Sequence, residues 1–280
     1  MQAFLTSQLG NAQWLLPVFR SAVSLALMIA LFAPLEHFFA IKANQRFAPG
    51  WLTNLGWYFL NGLTAVFILG PPTALLVATV HAVIPAAITG AAAALPLWAK
   101  MVAAMIVGEI GFYWGHRLSH EIPFLWRFHA VHHSAETLNF LVNTRAHPVD
   151  MVFTRLCGLA LLYATGLANP VGPNAGLIPA LVLFIGSLWS FFIHANVRFR
   201  LGWFEEILSS PAFHHWHHSR NDHIDRNYAS MLPVMDRVFG TFYLPRHWPA
   251  EYGTDTVVPT SLAGQLVAPF VPERKVAPRV

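Results

Sequence analysis

The sequence is short of cysteine and of charge. Cys157 stands alone among 280 residues, so no intrachain disulfide forms and a thiolate metal site is excluded. Any metal must be held by nitrogen and oxygen. Only 11% of the residues are charged and 55% are apolar, with a mean hydropathy of +0.49, a balance foreign to an ordinary soluble domain. The net charge of +4 and pI near 9.5 raise the question of nucleic acid. No basic-aromatic stripe is present, and the arginines lie scattered between apolar runs, which suits the phosphate side of a membrane. No GxGxxG follows a strand and there is no P-loop, so the chain shows no nicotinamide, flavin or nucleotide domain. Internal repeats are also missing. The opening MQAFLTSQLGNAQWLLPVFR lacks the basic n-region and short h-region of a signal peptide, and is expected to be retained.

What the chain has is long apolar runs. Residues 16–38 supply the roughly 20 apolar residues that a spanning helix needs. The loop after them carries Lys42 and Arg46, a basic signature of a cytoplasmic loop. From Leu52 to Ile84 the chain is apolar again, with GPP at 70–72, which predicts either one kinked span or a span followed by a re-entrant piece. A small-residue turn then leads into a helix over 97–121, and apolar runs at 149–167 and 177–194 flank the breaker-rich ANPVGPNAG. The expectation is an all-α membrane bundle of four to five spans with a helical cap. Residues 1–107 form the N-terminal spans, 108–245 the histidine-bearing catalytic region with two further spans, and 246–280 a tail. Counting one hairpin over 52–115 and another over 149–194, every histidine cluster returns to the side of Lys42 and Arg46. That side is expected to be the cytoplasmic face, of a bacterial inner membrane.

The chain contains 15 histidines, and eight fall into three clusters: HRLSH (His116, His120), HAVHH (His129, His132, His133) and HHWHH (His214, His217, His218). Spacings of i, i+3 and i+4 stack imidazoles on one face of a helix, close enough to hold one ion or two adjacent ions. Imidazole suits iron, zinc, copper or nickel, so ligand type alone does not name the ion. Eight neutral ligands exceed what one tetrahedral zinc takes, which points to two metals. His215 points away from the shared face if its segment is helical. His37, His81, His223 and His247 have no partner spacing and read as structural. His147, before a span, reads equally as a ligand or gate and as an interfacial residue.

In their order, HRLSHE, FHAVHHS, FIHANVR and FHHWHHSRNDHIDRNYASMLPVMDRVFGTFY resemble the fatty acid hydroxylase and sterol desaturase superfamily of integral-membrane di-metal oxygenases, over about residues 108–244. The resemblance implies two iron ions that activate O2 against an unactivated C–H bond of a lipid. It implies His116, His120, His129, His132, His133, His214, His217 and His218 as ligands, with His194 as the additional histidine at the end of the last span; a hydrogen-bonded core role competes for that residue. Asn227 and Tyr228 match an Asn-Tyr pair usually followed by glycine, here Ala229. Glu109 stands where an aspartate is common. It lies two helical turns from His116 with Tyr113 between, placed to orient an imidazole as an outer carboxylate does; Glu109, Tyr113, Asn227 and Tyr228 are the expected catalytic residues beside the metal. Glu121, Asp222 and Asp225 read as solvated.

Lacking a redox domain, the chain would draw electrons from an external donor of ferredoxin, rubredoxin or cytochrome type, steered by Arg117, Arg127, Arg198, Arg220 and Arg226. The lipid, whether fatty acyl, sphingoid, ornithine lipid, sterol or carotenoid, would enter laterally. WSFF at 189–192 and Trp203 are candidates to line its channel, and VRFRLGWFEEILSS reads as an interfacial amphipathic helix. Hydroxylation and desaturation are not separated by the sequence. Two rivals are a zinc hydrolase with Glu121 or Glu109 as base, although HRLSHE is not HExxH, and a divalent-metal transporter, which predicts ionisable residues spread across the bilayer rather than gathered at one side.

Overall fold

A computed structural model describes residues 15–43, 47–168, 176–220 and 223–272. Arg46, Asp222 and most of the breaker-rich stretch lie outside the described residues. Helices account for the fold, and among the described residues there is no strand, only an isolated bridge between Ser219 and Tyr252. Five long helices run up and down: α1 (Leu15–Phe38), α2 (Trp51–Val83), α4 (Leu97–Glu121), α6 (Pro148–Ala164) and α7 (Leu177–His194). Between and after them lie the short α3 (Ala86–Ala91), α5 (Pro123–His133), α8 (Pro211–His217), α9 (Val234–Val238) and α10 (Leu262–Val267).

The helices α1, α4 and α7 are each long and apolar enough to cross a membrane, and α2 qualifies as a bent pair. The bend in α2 is 44°, between residues 65 and 67. Pro71 and Pro72 lie within the helix, and each removes a hydrogen bond to, and crowds, the carbonyl four residues earlier, so the axis turns just before them. One kinked helix thus runs through GPP. At 17 residues, α6 is about 25 Å long, short of the ~30 Å hydrocarbon thickness. Outward faces are greasy, with Phe67 78%, Leu75 70% and Trp98 73% exposed.

Two of the long helices, α4 and α6, are in backbone contact. Gly108, Gly111 and Gly115 share one face of α4. A Cβ on Gly111 would overlap the Cys157 carbonyl and stand 2.7 Å from Gly158 Cα, and one on Gly115 would meet Cys157 Cβ at 2.9 Å. Backbone therefore touches backbone here, as in small-residue membrane interfaces. At one end of the bundle the ends of all five long helices meet the cap. Glu36, buried at the end of α1, accepts from the backbone N–H of Phe140 (2.8 Å) and of Asn196 (3.0 Å). Lys42 is at this end too, its N–H on Asn196 Oδ1. The same end carries His116, His120, Asp150 and His194, so the parity of the crossings collects the histidines on the side of Lys42.

Two expectations change. VRFRLGWFEEILSS is not an amphipathic α-helix: only Gly202–Glu206 winds, as a 3-10 turn. Gly202 sits at φ +60 and the buried Glu205 carboxylate turns back to accept from Ser210 Oγ (2.6 Å) and Leu201 N (3.2 Å), which competes with a helical ladder. Second, the segment after residue 246 straps the bundle. Trp57 Nε1 donates to the buried Gln265 Oε1 (2.6 Å), Arg127 Nη2 to Val271 O (2.6 Å), and Phe270 packs on Phe128 at 5.5 Å.

Gly111→Ala is expected to cost about 1–3 kcal/mol by forcing α4 and α6 apart, seen as a lowered unfolding midpoint in detergent. Gly90→Ala, whose added methyl meets nothing within 4 Å, should leave it unchanged.

Candidate metal centre

Each histidine cluster is delivered by an element with a local reason to form. His116 and His120 occupy the last two turns of α4. Pro123 opens α5, its missing N–H costing nothing at that position, and α5 ends on His132 and His133. Ser210 caps α8, its hydroxyl accepting from Phe213 N (3.3 Å), and Pro211 follows as the first residue, so that a helix of two turns presents His214, His217 and, at its C-cap, His218. His194 closes α7.

These elements bring nine imidazoles together in two buried groups. His116, His120, His129, His133 and His217 form one, and His132, His194, His214 and His218 the other; in each, one ring nitrogen per residue lies within 4.8 Å of all the others. The groups adjoin, with the His133 and His218 rings stacked at 4.5 Å. His215 and His147 belong to neither. His215 bonds outward, Nδ1 to Tyr252 Oη (2.9 Å) and Nε2 to the Ala195 carbonyl (3.1 Å), and burial lowers its pKa to about 3, so it stays neutral. His147 caps α6 through Nδ1, which accepts from Val149 N (3.2 Å), while Nε2 faces the Leu266 carbonyl (3.2 Å).

Outer partners fix which nitrogen points inward. His116 Nδ1 donates to Tyr228 O (2.7 Å), His132 Nδ1 to Arg145 O (3.0 Å), His194 Nδ1 to Ser190 O (2.7 Å) and His217 Nδ1 to Arg226 O (2.8 Å). His129 Nδ1 donates to Asp150 Oδ2 (3.0 Å) and His120 Nδ1 to Asp225 Oδ1 (3.2 Å). A carbonyl or carboxylate can only accept, so these six rings carry their proton on Nδ1 and turn the Nε2 lone pair inward. Lone pairs then face one another: His116 and His129 Nε2 stand 3.1 Å apart, His132 and His194 Nε2 3.2 Å. Burial, and then the neighbouring imidazoles, push His132, His133, His214, His217 and His218 well below the usual imidazole pKa, so protons do not fill the gaps at neutral pH. Inner nitrogens such as His120 Nε2 and His217 Nε2 are buried without a hydrogen-bond partner.

A cation resolves this arrangement. Nitrogens about 2.0–2.1 Å from one ion stand about 2.9–3.4 Å apart at the edges of octahedral or tetrahedral shells, and the six closest Nε2 pairs here are at 3.0–3.2 Å. The residues thus fit two metal ions side by side, one per group.

A cavity of about 570 Å³ leads away from the site between the long helices. His116, His129, His132, His194 and His214 line one end, and it runs past Phe112 to Met105 on α4 and past Thr154 to Leu162 on α6. Eleven residues of α4, from His116 to Met105, set a depth of about 16 Å. Of WSFF, Ser190 and Phe191 line it, whereas Trp189 Nε1 donates to Ser209 Oγ (2.8 Å). Trp203 does not: it is 67% exposed and stacks on Phe204 at 3.8 Å.

The four residues expected beside the metal all make bonds within the framework around it. The Glu109 carboxylate touches no imidazole; buried at the cavity wall, it accepts from Met231 N (2.6 Å) and Leu232 N (3.1 Å), pinning the Asn227–Leu232 stretch to α4. Tyr113 Oη meets Thr241 Oγ1 (2.8 Å) and Arg117 Nη1 (3.3 Å). Asn227, in left-handed backbone at φ 58, holds Phe213 O, Tyr243 O and Tyr243 N through its amide. Tyr228 touches the site most closely, its carbonyl on His116 and its ring 5.1 Å from that of His120. The buried carboxylate that bonds a clustered imidazole is Asp150, which sequence reasoning passed over. It joins His129 to Ser119, whose Oγ donates to Asp150 Oδ1 (3.2 Å); the one signal was an acid just inside a helix start, which reads as a cap. Asp225 bonds His120 rather than standing free, and Glu121 pairs with Arg117 (2.7 Å).

Fold and site together define a helical protein with membrane-crossing helices and two adjoining polyhistidine centres at the end of an internal cavity. Residues 101–241, half of the chain, match the fatty acid hydroxylase family model, and the chain belongs to that family. It is 37% identical over 178 residues to the ornithine lipid hydroxylase OlsE of Rhizobium tropici, covering 62% of this chain and 51% of that protein. It is 36% identical over 135 residues to human alkylglycerol monooxygenase, covering 48% of this chain and 28% of the relative. With methylsterol monooxygenase 2-2 of Arabidopsis thaliana it shares 29% identity over 162 residues, 52% of this chain and 55% of the relative. The matched part therefore spans between about a quarter and about half of these relatives. No solved structure matches significantly.

Asp150→Asn keeps the shape but leaves His129 Nδ1 facing an amide in place of a carboxylate. Metal affinity should fall about 10- to 100-fold, measured as metal per chain after dialysis against a graded chelator, with the unfolding midpoint of the metal-free protein unmoved.

Proposed function

We propose that the chain is a membrane di-iron oxygenase that uses O2 and an external electron donor to hydroxylate, or desaturate, a C–H bond of a lipid. The observation that carries the reading is the pair of inward-facing lone-pair clusters at one end of a largely apolar cavity. Metal ions satisfy the nitrogens, and a lipid chain suits the cavity. His116, His120, His129, His133 and His217 would hold one iron, and His132, His194, His214 and His218 the other. Bound there, the pair supplies the redox chemistry that activates dioxygen. Hydroxylation balances as R–H + O2 + 2 e⁻ + 2 H⁺ giving R–OH + H2O, the electrons coming from a donor of ferredoxin, rubredoxin or cytochrome type. The names of the relatives, hydroxylases and monooxygenases of lipids, support the same reaction class.

The chain's own residues bind and position. Cavity walls from α4, α6 and α7 hold the substrate against the histidine end, so position decides which C–H reacts. Glu109 and Asp236 fix the loop carrying Tyr228, the latter by accepting from Tyr228 N (2.8 Å) and Ala229 N (2.9 Å). The histidine face is read as cytoplasmic, in a bacterial inner membrane, from the basic residues of the first loop. Of the arginines proposed to steer a donor, Arg117, Arg127, Arg220 and Arg226 already have partners in the chain, and Arg198 is exposed. Neither rival gains support: Glu121 is engaged by Arg117, Glu109 by backbone, and the histidines gather at one end rather than along a transmembrane path.

Protein purified from iron-sufficient medium should carry about two metal ions per chain, mostly iron, one for each histidine group. His217→Ala and His218→Ala, one in each group, should together abolish binding. In membranes supplied with isotopically labelled dioxygen and a reductant, a lipid should acquire one labelled oxygen atom, and the double variant should yield none. One tightly bound zinc and no labelled lipid would overturn the proposal.

A further inference from the structure

The cavity also holds an arginine that nothing in the protein answers. Arg155, on α6, lines the cavity beside Thr154 and five residues beyond Asp150, about 7.5 Å further along the helix axis. Among the described residues it has neither an ion pair nor a hydrogen bond. The two carboxylates in the same walls are committed elsewhere, Glu109 to backbone N–H groups and Asp150 to His129 and Ser119. A guanidinium does not deprotonate in a protein, so the half-buried Arg155 keeps a full charge at the cavity wall, where an unpaired charge is costly and its presence marks a functional position.

Two neighbours in the wall support the same direction. Arg20, on α1, adds a second positive charge to the cavity lining. Asn61 gives both amide protons to carbonyls, Thr144 O (2.9 Å) and Ala146 O (3.0 Å), which fixes its orientation and leaves Oδ1 buried without a partner. The wall thus offers two cations and one open acceptor amid apolar surface. The cations complement an amphiphile whose head carries an oxyanion, which a guanidinium binds through two parallel hydrogen bonds, and the open Asn61 acceptor suits a donor on the same head, the ammonium of a zwitterion or a hydroxyl.

We propose that Arg155 is a specificity-determining residue that binds the oxyanion, carboxylate or phosphate, of the lipid substrate's head within the cavity. This rests on the cavity being the substrate site, and it deepens that reading by fixing the substrate class as an anionic or zwitterionic amphiphile. The head is held a set distance from the histidine end, so Arg155 sets the register of the substrate as well as its identity.

The test is retention of radiolabelled laurate, dodecyl phosphate and dodecanol by the full-length protein in phosphatidylcholine nanodiscs, each corrected for empty discs. The wild type should bind at least one anionic probe about tenfold more tightly than dodecanol, and the better of the two identifies the head as carboxylate or phosphate. Arg155→Gln should erase the preference without changing dodecanol binding. Arg155→Lys, with charge but no fork, should keep part of it, and decides the matter if the glutamine variant does not fold. Equal retention of all three probes by the wild type, or a preference intact in either variant, would overturn the proposal. No turnover is measured, so a failure here leaves the oxygenase reading standing, and protein that prefers the anionic probe but carries no iron would sink only the latter.

Discussion

Gly111 has no room for a side chain, because α6 lies against it backbone to backbone. That contact sets the rest of the site. Along α4, residues 116 and 120 follow 111 by one and a half to two and a half turns, and along α6, Asp150 precedes Cys157 by two. Holding the axes at small-residue distance therefore brings the Asp150 carboxylate within reach of His129 and of Ser119 on α4. A larger spacing would leave His129 without its anchor and open the first histidine group.

The second constraint is electrostatic. Six imidazoles are locked by outer acceptors into the tautomer that aims a lone pair inward, and the inward nitrogens are too close to be comfortable without a cation. An ion bound there would relieve this local repulsion, and its loading would then be thermodynamically linked to folding. The linkage spreads outward through carbonyls of Tyr228, Arg145, Ser190 and Arg226, which belong to three different segments. A bound ion in effect tightens each of them.

The crossings and the three histidine clusters were legible in the sequence because both are periodic: apolar runs of spanning length, and imidazoles at helical spacing. Parity then placed the clusters at one end. What periodicity could not supply was partner choice across elements. Glu109 does share a face with His116, yet spacing along one helix does not reveal that the backbone of Met231 and Leu232 comes in to take the carboxylate. Asp150 gave no sign of its role along its own helix because the ring it orients comes from α5. Residues 197–210 carry an amphipathic pattern, but Gly202 and the self-bonding Glu205 defeat the helix locally. Arg155 carried no sequence signal, since a single arginine in an apolar run acquires meaning only when its surroundings are seen to hold no counterion.

The strap formed by residues 259–271 has a bearing on how such a molecule is made. It ties Trp57 to Gln265, 208 positions apart, and closes over the start of α6 at His147 and over α5 at Arg127. On the ribosome, all nine clustered imidazoles emerge before this belt does. Through that interval the bundle is unfastened at the histidine end, with loop-closure entropy still opposing it. Until residues 259–271 dock, neither the start of α6 at His147 nor α5 at Arg127 has this contact.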